Sequence, residues 1–364
     1  MLFNGSIPEN IHFGRKCCHW WKNFLQPGKV LLVCGRHSLS ALEAESAALE
    51  QECKIVTVSG ELPLSEVEDI LRDTRGNGFT NIVGWGGGSA MDGAKALAAL
   101  MTAPLPAAEY FYCRAELPPR QCRLILVPTT AGTGAEITAN AVICDHATGI
   151  KQSLRGPGMT ADAALVDPEL LENAPEKVTV AAAFDALTQA LESYTSSRAT
   201  PLTQSMAATA AALILQNLEA AVCDHSPAAF DALARGSMLT GIAFAASGLG
   251  AVHGLAHPLG SLLSIPHGEC CAILLLPVLQ RNRADDPELF AALASACGLA
   301  SADDLIAEIA ALQKKFSIPQ NFKEYHLAAT DYDFIVKNCR SGSMKCNRKF
   351  YSDDDVRELL LELT

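Results

Sequence analysis

The feature that most constrains this 364-residue sequence is a change of hydrophobic period near its middle. Before that point, short apolar runs rich in β-formers recur at residues 29–34, 54–58, 81–85 and 123–127. Helix-like stretches separate them at residues 38–50, 64–75 and 89–101. Strands alternating with helices at this spacing predict a parallel sheet covered on both faces. From Val178 onward the chain is rich in Ala and Leu, with a helical period and almost no strand signal. The stretch DPELLENAPEK, with two prolines and several charges, marks the change. The length exceeds what one compact core usually takes. Two domains are therefore expected, an α/β domain over residues 1–172 and a helical domain over residues 173–364.

Composition narrows the functional classes. Hydrophobic residues make up 49% of the chain and charged residues 19%, which suits a folded core and argues against disorder. The net charge of -12, with no long basic run, sets nucleic acid aside as a partner. No apolar stretch reads as an uninterrupted membrane span; the weakly polar region over residues 181–221 is broken by Asp185, Gln189, Glu192 and Arg198. The N-terminus lacks a basic start followed by an apolar run, so no signal peptide is expected. The 13 cysteines are odd in number and scattered, which fits reduced thiols in the cytoplasm.

Two loops carry ligand-binding chemistry. NIVGWGGGSAMDGAK reads as strand, glycine turn and helix. Gly86, Gly87 and Gly88 let a ligand approach the backbone, and Ser89 is placed to cap the helix, whose free N–H groups favour phosphate. Asp92 and Lys95 follow on that helix. The pattern is not G-x-G-x-x-G. The second loop, VPTTAGTGAE, offers the hydroxyls of Thr129, Thr130 and Thr133 after the strand ending at Val127. Singly, such threonines serve as caps and turns. Together, two loops at the C-terminal ends of parallel strands converge on one crevice, where open α/β sheets bind ligands.

The strongest chemical signal is GLGAVHGLAHPLGSLLSIPHGECC. His253 and His257 are four apart and share a helix face, and His267 sits between a proline and a glycine, at a loop or helix entry. One such histidine is more often a packed core residue; three in an apolar segment point to a zinc or iron site. Asp185, in the apolar run AAAFDALTQALESY, is the candidate carboxylate, because burying it unpaired is costly. Gln189 lies one turn further on the same face.

GGGSAMDGAK, PTTAGTGAE, LVDPELL, FDALTQALE, HGLAHPLG and PHG stand in the order and spacing of the iron-containing (group III) alcohol dehydrogenase family, which the chain resembles over nearly its whole length. The resemblance implies a dehydroquinate synthase-like fold: an N-terminal dinucleotide-binding domain with a parallel sheet, an all-helical C-terminal domain, and an active site in the cleft between. It places Asp185, His253 and His267 on metal-ligand positions and His257 next to the nicotinamide in a proton-relay role. The fourth ligand position, normally the histidine of D-A-L-T-H, holds Gln189, whose carbonyl is a harder and weaker donor than imidazole. The related glycerol dehydrogenases resemble this arrangement, with one Asp and two His on zinc, so iron and zinc compete as the expected metal.

Where NAD-preferring members often carry an aspartate at the end of the first strand, this chain has Gly35, followed by Arg36 and Ser38. That is similar to the NADP-accepting members, and a guanidinium there can pair with a 2′-phosphate. NADP(H) is therefore expected over NAD(H), with Lys151 counted among the cofactor contacts. The other reading of Arg36 is a solvated surface residue.

Near the C-terminus, NCRSGSMKCNRKF gathers cations and hydroxyls, and its RSGSMK form is similar to the phosphonoacetaldehyde reductase branch. Arg340, Ser341 and Lys345 are thus candidate contacts to an anionic substrate; a solvated basic turn or a subunit contact is the alternative. The implied activity is metal-assisted, NAD(P)H-dependent reduction of a small aldehyde to a primary alcohol, by a homodimer or larger homo-oligomer. The competing readings are a maleylacetate reductase-like enzyme without metal, a dehydroquinate synthase-like lyase, and a non-catalytic binding protein descended from the enzyme.

Overall fold

The computed structural model describes residues 5–60 and 62–364. The chain divides into two compact units, Ser6–Ala174 and Pro175–Thr364.

The first unit is built on a six-stranded sheet. Its strands are β1 (Asn10–Phe13), β2 (Lys29–Gly35), β3 (Cys53–Val58), β4 (Phe79–Gly86), β5 (Arg123–Pro128) and β8 (Ala163–Val166), in the order β1-β8-β5-β4-β2-β3. Every neighbouring pair is parallel. A two-stranded antiparallel hairpin, β6 (Asn140–Asp145) and β7 (Ile150–Arg155), stands apart from it. The helices are α1 (Leu39–Ala47), α2 (Leu64–Thr74), α3 (Gly88–Leu100) and α4 (Ala107–Phe111), with a 3-10 segment over Cys17–Phe24.

The apolar runs seen in the sequence are continuous because both sheet faces are buried. Leu31, Val33, Ile82, Leu124 and Leu126 enter one core together with side chains of α2 and α3. The alternate residues Val30, Leu32, Cys34, Val83, Trp85, Ile125 and Val127 enter a second core, with Trp21 and Leu42. Four strands and three helices thus stand where the sequence places them, shifted at their ends. β1 and β8, of four residues each, and the β6–β7 hairpin are strands beyond those expected from the sequence.

The strand order produces a switch point. From β2 the chain crosses to β3 on one side, and β4 returns to the other side of β2. Crevices at the C-terminal ends of such strands are where open sheets bind ligands. There Gly35 ends β2 and Gly86 ends β4, and a Cβ built on Gly86 would lie 3.1 Å from the Gly35 nitrogen and 2.9 Å from the Ala90 Cβ. With φ of +154°, Gly86 also has a backbone that side chains rarely adopt.

The second unit is helical: α5 (Glu176–Thr195), α6 (Pro201–Cys223), α7 (Pro227–Ser247), α8 (Ala251–Leu263), α9 (His267–Asp285), α10 (Pro287–Ala296), α11 (Ala302–Lys315), α12 (Tyr332–Asn338), α13 (Gly342–Cys346) and α14 (Asp353–Glu362). One expectation needs correction here. Among the described residues, α6 is long and apolar enough to cross a membrane, and the bent pair of α7 and α8 passes the same test if taken as one span. The apolar character has a packing cause: Ala207, Ala208, Ala210, Ala211, Ile214, Leu215 and Leu218 of α6 are buried within the unit.

Gly86→Ala is expected to lose about 1–3 kcal/mol of stability, from the disfavoured φ and the close Ala90 contact. Urea denaturation of wild type and variant measures it; equal midpoints would mean that the turn adapts freely.

Candidate metal and cofactor sites

The glycine turn and the threonine loop of the first unit meet directly. The Thr129 N–H donates to the Gly86 carbonyl at 2.8 Å. Side-chain atoms of Thr130 lie 3.4 Å from where a Gly87 Cβ would stand, and those of Thr133 2.8 Å from a Gly88 Cβ. Any side chain at Gly88 would displace Thr133. Ser89 does not cap α3: the N-cap is Gly87, no side chain caps the helix, and Ser89 lies within its first turn. The first N–H groups of α3 are thus left uncapped by any side chain, a standard feature of anion sites.

Asp92 and Lys95 turn inward. Lys95 is fully buried, its ammonium 2.8 Å from Asp92 and also bonded to the Asn140 carbonyl. The other Asp92 oxygen accepts the Val142 N–H at 3.0 Å. The pair therefore fastens the β6–β7 hairpin, which carries Lys151, onto α3. The buried Glu136 carboxyl is pushed up to about 7 by burial, against the pull of Lys95. Gly35 has open space around its missing Cβ; Arg36 is exposed and Ser38 half-buried, in the 3-10 turn that follows β2.

In the second unit, three helices bring the polar residues together. α5 supplies Asp185, Gln189 and Glu192, all buried; α8 supplies His253 and His257; α9 begins at His267 and carries Cys271 one turn on. His253 Nε2 lies 3.2 Å from Asp185 Oδ1, and His267 Nε2 lies 3.8 Å from the same oxygen. Gln189 Nε2 donates to Asp185 Oδ1 at 2.9 Å, while its Oε1 is buried without a hydrogen-bond partner. The His257 ring centroid is 5.4 Å from that of His267 and 6.4 Å from that of His253. One ligand atom each from Asp185, His253, His267 and Cys271 falls within 4.8 Å of all the others. A carboxylate, two imidazoles and a thiol at that spacing fit a divalent ion.

The electrostatics follow from this crowding. Burial would raise Asp185, yet His267 and His253 hold its carboxyl below the usual range. Burial would lower His253, but Cys271, Asp185 and Glu192 hold its imidazole well above the ordinary value. Burial pushes the Cys271 thiol up to about 11.

Two features of the site escaped the sequence reading. Glu192 Oε2 lies 2.7 Å from His253 Nδ1, and Oε1 accepts the Val252 N–H at 2.6 Å. One carboxylate thus orients the imidazole so that Nε2 faces the cluster and also satisfies an N–H at the start of α8. Its position seven residues after Asp185, on the same helix face, was the available signal. The second is Cys271, four residues after His267.

The basic C-terminal segment has contacts of its own within the unit. Arg340 donates to the Tyr351 carbonyl at 2.5 Å and pairs with Asp353, so its guanidinium is already neutralised beside α14. Ser341 caps α13 through the Met344 N–H. Lys345 is exposed. Asn347 accepts the Ala251 N–H at 3.2 Å and exchanges hydrogen bonds with Asn282, which makes the segment a support for the start of α8.

Replacing Glu192 with Gln is expected to weaken divalent-metal binding about 10–100-fold, with little change in melting temperature. Competition against a chelator measures the affinity. Unchanged affinity would mean that the Glu192 charge does not tune His253.

Comparison with known proteins agrees with both units. Residues 8–168 match the model described as "Iron-containing alcohol dehydrogenase", and residues 179–363 match "Fe-containing alcohol dehydrogenase family, C-terminal". The probable alcohol dehydrogenase EutG of Escherichia coli strain K12 is 38% identical over 246 residues, covering 67% of this chain and 62% of that protein, so the match spans less than two thirds of that relative. The NADPH-dependent butanol dehydrogenase of Clostridium saccharobutylicum is 30% identical over 342 residues, covering 90% of this chain and 88% of the other. Sulfoacetaldehyde reductase from Bifidobacterium kashiwanohense, solved in complex with NAD+, superposes with a TM-score of 0.92 at 27% identity, covering 100% of this chain and 99% of that one. The chain belongs to the iron-containing alcohol dehydrogenase family.

Proposed function

We propose that the protein is an alcohol dehydrogenase working as an NAD(P)H-dependent reductase of small aldehydes, with NADPH the preferred donor. The observation that carries this reading is the buried cluster of Asp185, His253 and His267, flanked by His257, in a chain of this family. In the net reaction a hydride passes from the nicotinamide to the carbonyl carbon and a proton reaches its oxygen, giving the alcohol and the oxidised cofactor. A divalent ion held by Asp185, His253 and His267 would supply Lewis-acid polarisation of the carbonyl. His257 is half-buried beside the His267 ring and delivers the proton, directly or through one water. Gly86, Gly87 and Gly88 admit the cofactor's pyrophosphate to the uncapped start of α3, with Thr129, Thr130 and Thr133 lining the same turn.

NADPH preference rests on Gly35, which puts no carboxylate at the end of β2, and on the exposed Arg36 beside it. A related butanol dehydrogenase is named as NADPH-dependent, whereas the sulfoacetaldehyde reductase was solved with NAD+. Phosphonoacetaldehyde is a first substrate to try, because that solved neighbour is named for the sulfonate analogue. Arg340, the expected contact to such an anion, already meets the Tyr351 carbonyl and Asp353, and would have to share them with the substrate.

Absorbance of the reduced cofactor, followed with neutral and anionic short aldehydes, tests the reading. Wild type is expected to turn over faster with NADPH than NADH, and Gly35→Asp to shift that ratio toward NADH by roughly tenfold through repulsion of the 2′-phosphate. A wild-type preference for NADH would refute the cofactor assignment. His257→Gln is expected to lower kcat by about 10²–10⁴-fold with metal content retained. Loss of metal in that variant would instead make His257 a ligand.

A further inference from the structure

The ligand pattern of the family leaves the cluster one imidazole short, at Gln189. The amide there donates to Asp185, and its carbonyl oxygen lies buried without a partner. On the opposite helix α9, Cys271 follows His267 by four residues and shares its face. The Cys271 sulfur stands 3.7 Å from His267 Nε2 and 3.9 Å from His253 Nε2. Its neighbour in sequence behaves as an ordinary packed thiol: Cys270 donates to the Ala256 carbonyl at 3.7 Å. Two adjacent buried cysteines are thus placed differently, and one of them meets the two imidazoles.

The spacing suits a tetrahedron. Zinc bonds of about 2.0 Å to nitrogen or oxygen and about 2.3 Å to sulfur give tetrahedral edges of roughly 3.3 Å between nitrogen and oxygen donors and roughly 3.5 Å to the sulfur. The two edges from Asp185 Oδ1 to the imidazoles measure 3.2 and 3.8 Å, and the two from Cys271 measure 3.7 and 3.9 Å. All four donor atoms lie within 4.8 Å of one another, so an inward movement of the longer edges closes them on one ion. The identity of the donor also decides which ion. A thiolate is softer than the imidazole that Gln189 lacks, and softness favours zinc over ferrous iron.

We infer that Cys271 is the fourth protein ligand of the metal centre, in place of the imidazole absent at Gln189, and that this chain is a zinc rather than an iron member of its family. The inference rests on the metal-centre reading proposed above. On binding, the Cys271 thiol releases its proton to solvent as the sulfur–metal bond forms. Glu192 contacts Nδ1 of His253, the ring nitrogen opposite the one that faces the cluster.

Cobalt(II) as a spectroscopic stand-in for zinc provides the test on the full chain. Cobalt-loaded wild type is expected to show a near-ultraviolet thiolate-to-cobalt charge-transfer band. Cys271→Ser should lose that band, while Cys270→Ser should keep it. Chelator competition should show zinc binding weakened at least about 100-fold in Cys271→Ser, with ferrous iron weakened less, so that the zinc-to-iron preference falls by roughly tenfold or more. Cobalt bound with ligand-field bands but no charge-transfer band in wild type would remove Cys271 from the site and leave the metal-centre reading intact. Persistence of the band in Cys271→Ser would also overturn the inference. Failure of wild type to bind cobalt or zinc would overturn both readings. The wild-type spectrum decides the matter even if a variant folds poorly.

Discussion

The helical unit is organised by the requirement to compensate two carboxylates buried on one face of α5. Asp185 and Glu192 are 2% and 5% exposed, and each would be prohibitively costly without partners. The compensation comes from α8 and α9. Glu192 takes the Nδ1 side of His253 and the Val252 N–H, and Asp185 takes the Nε2 side of His253 and approaches His267. A single imidazole therefore bridges two carboxylates, and its orientation follows from their separation along the helix. Breaking either contact leaves a buried charge unmatched, which links the geometry of the site to the packing of the unit.

Supporting elements are fitted around that arrangement. Asn347 holds the Ala251 N–H, so the first turn of α8 is tied both to α5 and to the C-terminal segment. α9 can start with its histidine close to α5 because Gly268 has no side chain; a Cβ there would stand 2.2 Å from the Ala181 carbonyl oxygen. The P-H-G motif is thereby a packing device as much as a source of a ligand. In the α/β unit the equivalent devices are Gly35 and Gly86, whose close backbones leave the switch point open, and the pair of buried Lys95 with half-buried Asp92, which anchors the hairpin. Asp92 and Lys95 follow the glycine turn, and the helix rotates them inward, where the charge pair bonds two backbone groups of β6.

The motifs, strand–helix alternation and the shift to helical period were legible because each is local: a run of apolar residues or a glycine turn depends on neighbours in sequence. β1 and β8 were not, since four-residue strands owe their pairing to the strand beside them rather than to their own composition. The same division runs through the functional residues. Asp185, Gln189, His253 and His267 could be picked from spacing and resemblance, and the structure brings them into one cluster. The contacts of Arg340 were not legible that way, since Asp353 and the Tyr351 carbonyl meet it only in the fold.

By itself, then, the sequence determined the order of elements, the glycine turn, the histidine spacing and the family, all of which are set within a few turns of chain. The tertiary structure alone decided which polar groups face one another. Glu192 and Cys271 are ordinary residues in an apolar helix until α8 and α9 fold against α5, when one comes to hold His253 from behind and the other comes within 4 Å of both imidazoles. The contacts of Glu192 and Asp185 with His253 join residues 61 and 68 apart in sequence, and that of Cys271 with His253 joins two helices across 18 residues, separations across which local propensity carries little information.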